Sequence, residues 1–311
     1  MASGSKKVIY AALAGNTLIA MTKFVAAGIT GSSAMLSEGI HSLVDTGNQV
    51  LLLYGMKQAA KPADEAFPFG HGKEVYFWSF IVAILIFALG GGISIYEGIQ
   101  HLQHPNPITN PLINYIVLGL AIVFEGAAWL FAFREFRHLK GRRGYIEAIQ
   151  RGKDPTIFVV LFEDSAALLG LLVALAGVAL SQFTGMTLFD GMASIIIGLI
   201  LVGTAIWLAY ETKGLLIGES ASRSVVRGVR EILEQVGSID HVNEVLTMHM
   251  GPDFILANIS VDFSNDKTAD EVERIIARAD RQIRAQFPQI KRIFIEAEKR
   301  WQHLAQQDVV K

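Results

Sequence analysis

The chain has 311 residues, 51% of them hydrophobic, and a mean hydropathy of +0.39, an average that a soluble domain must forgo to cover its surface with charge. A formal net charge of −2, with no basic stripe interleaved with aromatics, sets nucleic-acid binding aside. Cysteine is absent, so disulfides and thiolate ligands are excluded, and any metal would be held by His, Asp, Glu, Asn or backbone oxygen.

The apolar residues concentrate before residue 218, where six stretches reach the roughly twenty residues needed to span a bilayer. They are 8–28, 34–56, 75–99, 112–133, 156–180 and 188–210. The connections alternate in charge. Lys6 and Lys7 precede the first stretch, Lys57, Lys61 and Lys73 flank the second loop, and the fourth connection carries Arg134, Arg137, Lys140, Arg142, Arg143, Arg151 and Lys153. Segments 29–33, 100–111 and 181–187 contain no Lys or Arg. The positive-inside rule therefore places both termini in the cytoplasm. Neither a cleavable leader nor an Arg/Ser-rich transit peptide is read ahead of the first stretch, which leads us to expect a bacterial inner membrane. Stripes of small residues, such as Ala167, Gly170, Ala174 and Gly177, read as close helix packing.

After Glu219 the composition becomes that of a charged soluble domain. Helical periodicity over 225–236 is followed by strands at 243–250 and 254–263 around a Gly251–Pro252–Asp253 turn. A long amphipathic helix over 268–286 and a strand at 290–298 complete an α-β-β-α-β order. The expected fold is thus an α-helical membrane domain over 1–218, followed by a small cytoplasmic α+β, ferredoxin-like domain over 219–311.

Polar groups inside apolar spans mark function, because lipid tolerates them poorly. Glu38, His41, Asp45 and Asn48 recur at spacings of three, four and three and share one face of the second span. His41 and Asp45, one turn apart, make a half-site suited to Zn²⁺. The fifth span supplies Glu163 and Asp164, which point about 100° apart, so periodicity leaves open which of them faces that half-site. Glu125 and Lys23 also lie within spans; Glu125 is a candidate proton carrier or outer ligand, or a structural partner for Lys23. Asp190 reads as a helix cap, and Glu97, His101 and His104 as interfacial. In the second loop, Asp64, Glu65 and His71 beside Gly70 and Gly72 form a weaker candidate site.

The stretches Ala14-Gly-Asn-Thr, Ser37-Glu-Gly-Ile-His-Ser-Leu-Val-Asp and Phe69-Gly-His-Gly-Lys-Glu resemble the cation diffusion facilitators, metal/proton antiporters of the zinc-transporter type. His41 through Gln49, 144–155 and Phe162-Glu-Asp-Ser-Ala-Ala-Leu-Leu-Gly are most similar to the zinc transporter nine subgroup. The resemblance implies a homodimer, six spans, a four-ligand site shared by the second and fifth helices, and a cytoplasmic domain that assists dimerisation. Carried onto this chain, the set is His41, Asp45 and Asp164, with Glu163 or water fourth, because Val160 stands where the family places a fifth-span His. In the loop, Asp64 and His71 match but Phe67 replaces a frequent His. Asn258, Glu296 and Glu298 stand where zinc-regulated relatives carry ligands, and His249 is offset. Glu38, Asn48 and Glu125 are left as supporting or proton-carrying groups.

The expected function is proton-coupled export of Zn²⁺, with Co²⁺, Mn²⁺ or Fe²⁺ as further cargo, oxygen ligands favouring the last two. A membrane sensor or scaffold without transport is the alternative. An enzyme is not expected, since no H-E-x-x-H pattern occurs.

Overall fold

The structure is a computed structural model. It describes residues 3–105, 110–140 and 155–310, apart from the side chains of residues 3–12, 14, 135, 138–140, 157 and 306–310. The basic cluster and the 144–155 motif between the fourth and fifth helices fall largely outside the described residues. The chain divides into two compact units, one of Met1–Ala60 with Glu74–Lys213 and one of Lys61–Lys73 with Gly214–Lys311.

The first unit is helical: α1 (Ser3–Thr30), α2 (Ser33–Ala59), α3 (Glu74–Gln103), α4 (Pro111–Lys140), α5 (Pro155–Thr184) and α6 (Leu188–Ile217). Each contains one of the six apolar stretches. Among the described residues, four are long and apolar enough to cross a membrane: Glu74–Gln103, Pro111–Arg134, Phe158–Thr184 and Leu188–Ile217. Helix α2 falls short because Glu38, His41, Asp45, Asn48 and Gln49 lower its hydropathy, yet all five are buried. Such a helix is stable in lipid only if its polar face turns into the bundle.

Glycines bring α3 and α6 into backbone contact. A Cβ on Gly91 would meet Val202 and the Gly198 carbonyl, and one on Gly98 would meet Ile195 and the Gly191 carbonyl. The pairing of 91 with 198 and 98 with 191 makes the two helices antiparallel. Within this contact α3 widens into a π-turn over Ile86–Gly92, a feature the Gly90–Gly92 run did not announce. At the far end Gly177 of α5 lies against Ala193 and the Phe189 carbonyl of α6.

In the second unit α7 (Arg223–Glu234), β1 (Ile239–Gly251), β2 (Phe254–Phe263), α8 (Ala269–Gln286), β3 (Ile290–Ala297) and α9 (Arg300–Val310) follow in order. The sheet runs β1-β2-β3, antiparallel between the first pair and parallel between the second. Val229 and Leu233 of α7 and Ala279 and Ile283 of α8 pack with Ala257, Ile259 and Val261 of β2. A capping box starts α8: Glu271 N donates to Thr268 Oγ1, and Thr268 N donates to Glu271 Oε2 at 2.8 Å. Helix α9, absent from the α-β-β-α-β reading, begins where Arg300 N donates to Asp262 Oδ2 and Lys299 Nζ donates to Oδ1. The 61–73 loop belongs to this unit. A Cβ on Gly72 would lie 2.4 Å from the Met250 carbonyl, so the loop backbone rests on the β1–β2 turn.

Candidate metal site

The α2 face holds His41 and Asp45 one turn apart, with His41 Nδ1 3.4 Å from Asp45 Oδ1. Both residues are buried, and both imidazole nitrogens and Asp45 Oδ1 have no hydrogen-bond partner. Buried polar atoms almost always find partners, so this cluster of orphans is an unfilled demand. A dehydrated divalent cation meets it, because one ion can take an imidazole nitrogen and a carboxylate oxygen together.

Helix α5 faces α2 with Glu163 and Asp164, both buried. Asn48 Nδ2 donates to Glu163 Oε1 at 2.7 Å, which ties Glu163 to the α2 face carrying His41 and Asp45. Asp45 lies in the electrostatic field of Glu163, Glu125 and Asp164 together. Among the described residues, none of these four carboxylates has a Lys or Arg ion-pair partner. This part of the bundle is therefore rich in carboxylate oxygens, the donors that hard and borderline divalent ions take. Of the two fifth-span carboxylates, Glu163 is the one hydrogen-bonded to α2. Even so, among the described residues no three His, Asp or Glu side chains converge closely enough to hold an ion as a set.

The remaining predicted residues separate by role. Glu38 takes the Lys23 ammonium, Nζ to Oε2 2.9 Å, both side chains fully buried. Glu125 is the alternative partner the sequence suggested; it is buried with Oε1 unpartnered. Asp190 caps a helix, but that helix is α2 rather than its own α6. It accepts from the Ser33 amide at 2.6 Å, one of the unsatisfied groups of a helix start, and from the hydroxyl of the cap residue, Ser32 Oγ, at 2.7 Å. His101 is buried on α3 with Nε2 3.7 Å from Asp190 Oδ2, because the α3–α6 contact brings the two helix ends together. A cross-helix cap of this kind leaves no periodic trace in a sequence.

In the loop, His71 Nε2 and Asp64 Oδ2 are 2.8 Å apart and Phe67 N donates to Asp64 Oδ1. The hydrogen bond from His71, then that from Phe67, hold the Asp64 carboxyl below the usual range. Phe67, standing where a His is frequent in the resembled family, stacks obliquely on His71 at 4.5 Å. In the C-terminal unit Glu298 Oε2 accepts from Ser260 Oγ at 2.7 Å and lies 2.9 Å from His303 Nδ1. Asn258 and Glu296 lie exposed on neighbouring strands, and His249 is buried.

Residues 9–217 match the cation efflux transmembrane domain. The chain is 36% identical over 262 residues to the proton-coupled zinc antiporter SLC30A9, mitochondrial, of Xenopus laevis, covering 84% of this chain and 47% of that protein. It is 34% identical to the human protein of that name, covering 84% of this chain and 46% of that one, and so spans about half the length of these relatives. The cation-efflux pump FieF of Escherichia coli is 24% identical over 275 residues, with 86% of each chain covered. A chain that matches this domain over two-thirds of its length, with buried carboxylates on its long apolar helices, is an integral membrane member of the cation efflux (cation diffusion facilitator) family, a transporter type rather than an enzyme.

Proposed function

We propose that the protein exports Zn²⁺ from the cytoplasm in exchange for protons, through a site made of His41, Asp45, Asp164 and Glu163. The observation that carries this reading is the buried His41–Asp45 pair, whose imidazole nitrogens and Asp45 Oδ1 make no hydrogen bond, on a helix tied to Glu163 of α5 through Asn48. Because the four groups do not converge, holding an ion by all of them requires α2 and α5 to draw together, with Asn48 bringing Glu163 towards α2. Alternating access then consists of rocking α1, α2, α4 and α5 so that the filled site opens to one side or the other. The chain crosses a bacterial inner membrane six times, with both termini cytoplasmic, and works as a homodimer joined in part by its C-terminal unit. Co²⁺ fits the mixed nitrogen and oxygen set, and the extra carboxylate admits Mn²⁺ and Fe²⁺.

Coupling follows from competition. Ligation needs neutral imidazole and ionised carboxylates, so each metal that binds displaces protons, and a proton-rich exit side returns them and expels the metal. His41 and the carboxylates that would hold the ion are the groups on which that exchange turns. The test is metal flux in proteoliposomes with an imposed pH gradient, comparing Zn²⁺, Co²⁺, Mn²⁺ and Fe²⁺. Gradient-driven Zn²⁺ flux is expected in the wild type and is expected to vanish in Asp45→Ala while the dimer stays folded. Undiminished flux through folded Asp45→Ala would sink the site; no flux of any ion through wild type would favour a sensor or scaffold.

A further inference from the structure

The one described Lys within the apolar part of α1 is placed as a cation would be. Lys23 is fully buried, and its ammonium donates to Glu38 Oε2 at 2.9 Å and to Ser42 Oγ at 2.8 Å. Those are a carboxylate and a hydroxyl of α2, the donors a hard or borderline metal ion takes. The second carboxylate oxygen, Glu38 Oε1, has no hydrogen-bond partner. It rests against α5 at Gly170, where an added Cβ would lie 2.3 Å away, so the glycine leaves room for that oxygen.

The location matters as much as the ligands. Glu38 and Ser42 precede Asp45 by seven and three residues on α2, so Glu38 is about 10 Å nearer the Ser33 end of the helix. In the reading above, that end faces away from the cytoplasm, and the inference rests on that reading. The Lys23 charge also acts on His41, Asp45 and Glu125, so its position is felt throughout the pocket.

We propose that Glu38 and Ser42 form a second cation site on the exit side of His41 and Asp45, occupied by the Lys23 ammonium whenever no metal is there. A metal ion leaving outward displaces the ammonium, is held briefly by Glu38, and is released when Lys23 returns. The flexible four-carbon stem of lysine suits such a tethered counter-ion, and its single charge competes poorly with a divalent ion at close range but outlasts it once the ion is hydrated. The tether thus keeps Glu38 from trapping the cargo. A merely structural ion pair would have the same geometry but would bind no metal when broken.

The test is equilibrium Zn²⁺ binding to the full chain purified in detergent, with Zn²⁺ as the probe. Lys23→Met is expected to bind one Zn²⁺ per chain more than the wild type, and Lys23→Met/Glu38→Gln to return to the wild-type number. Equal numbers in wild type and folded Lys23→Met would overturn the proposal. Should Lys23→Met fold only with metal, thermal melting decides: added Zn²⁺ should raise its midpoint more than that of the double variant. Equal rises would count against the site. In proteoliposomes Lys23→Met should show a lower KM together with about tenfold slower turnover, because an ion held tightly before release leaves slowly. An unchanged KM with normal turnover would also overturn it. Wild-type zinc binding in Asp45→Ala would speak against the central site instead, and the Lys23→Met comparison would still decide this one.

Discussion

Asn48 sits at the point where the two halves of the pocket meet. Its amide holds Glu163 Oε1, while its own Oδ1 is buried without a partner. A neutral group that orients a carboxylate restrains it without competing for the metal charge, and such supporting contacts are typically worth about 10–100-fold in metal affinity. Asn48→Ala should therefore raise the KM for Zn²⁺ by about tenfold or more while leaving gradient-driven flux at saturating metal. An unchanged KM would show that Glu163 needs no such guide. The half-site itself was readable in sequence, since residues at 38, 41, 45 and 48 share a helical face whatever packs against it. Partner choice across helices was not. Periodicity could not tell that Lys23 would reach Glu38 rather than Glu125, or that Asp190 would turn from α6 to cap α2, because those contacts depend on how the helices cross.

At the scale of the helices, their positions were legible and their joints were not. Length and hydropathy located all six long helices, yet the heptad spacing of Gly91 with Gly98 and of Gly191 with Gly198 shows its purpose only when α3 and α6 lie antiparallel. Close backbone approach of this kind is how membrane helices gain packing energy that lipid does not supply. Gly98→Val should force the pair apart, since even a Cβ would lie 2.7 Å from the Gly191 carbonyl. We expect a loss of about 1–3 kcal/mol, read as a lower melting temperature in detergent. Gly119→Ala, which meets nothing within 4 Å on α4, is the control and should be neutral or slightly stabilising. Equal behaviour of the two variants would remove the special role of the α3–α6 contact. In the C-terminal unit, β1 starts at Ile239, four residues before the alternation becomes regular, because register shifts between Ile239 and His241 and between Val242 and Glu244 break the period of two. Helix α9 escaped notice because it depends on a tertiary contact, Asp262 receiving the Arg300 amide.

For the whole molecule, the proposed export makes a prediction about sidedness: the basic connections should lie on the side where cargo enters, and the ends of α1, α3 and α5 on the side where it leaves. The chain allows a direct test because it contains no cysteine, so a single introduced thiol reports against a silent background. Phe183, 87% exposed near the end of α5, lies in the segment 181–187 that has no Lys or Arg. Glu65 is exposed in the loop that packs with the C-terminal unit. If the chain crosses six times with cytoplasmic termini, as proposed, the two positions lie on opposite sides of the membrane. A membrane-impermeant maleimide applied to intact cells should therefore label Phe183→Cys and spare Glu65→Cys, and lysis should expose the second to labelling. The reverse pattern would invert the direction of transport derived from the pH gradient, and labelling of both in intact cells would mean that the number of crossings between them is even. Either result would also move Glu38 and Lys23 from the exit side of the metal site to its entrance, or off the path, since their place in the cycle is fixed only by which end of α2 faces the cytoplasm.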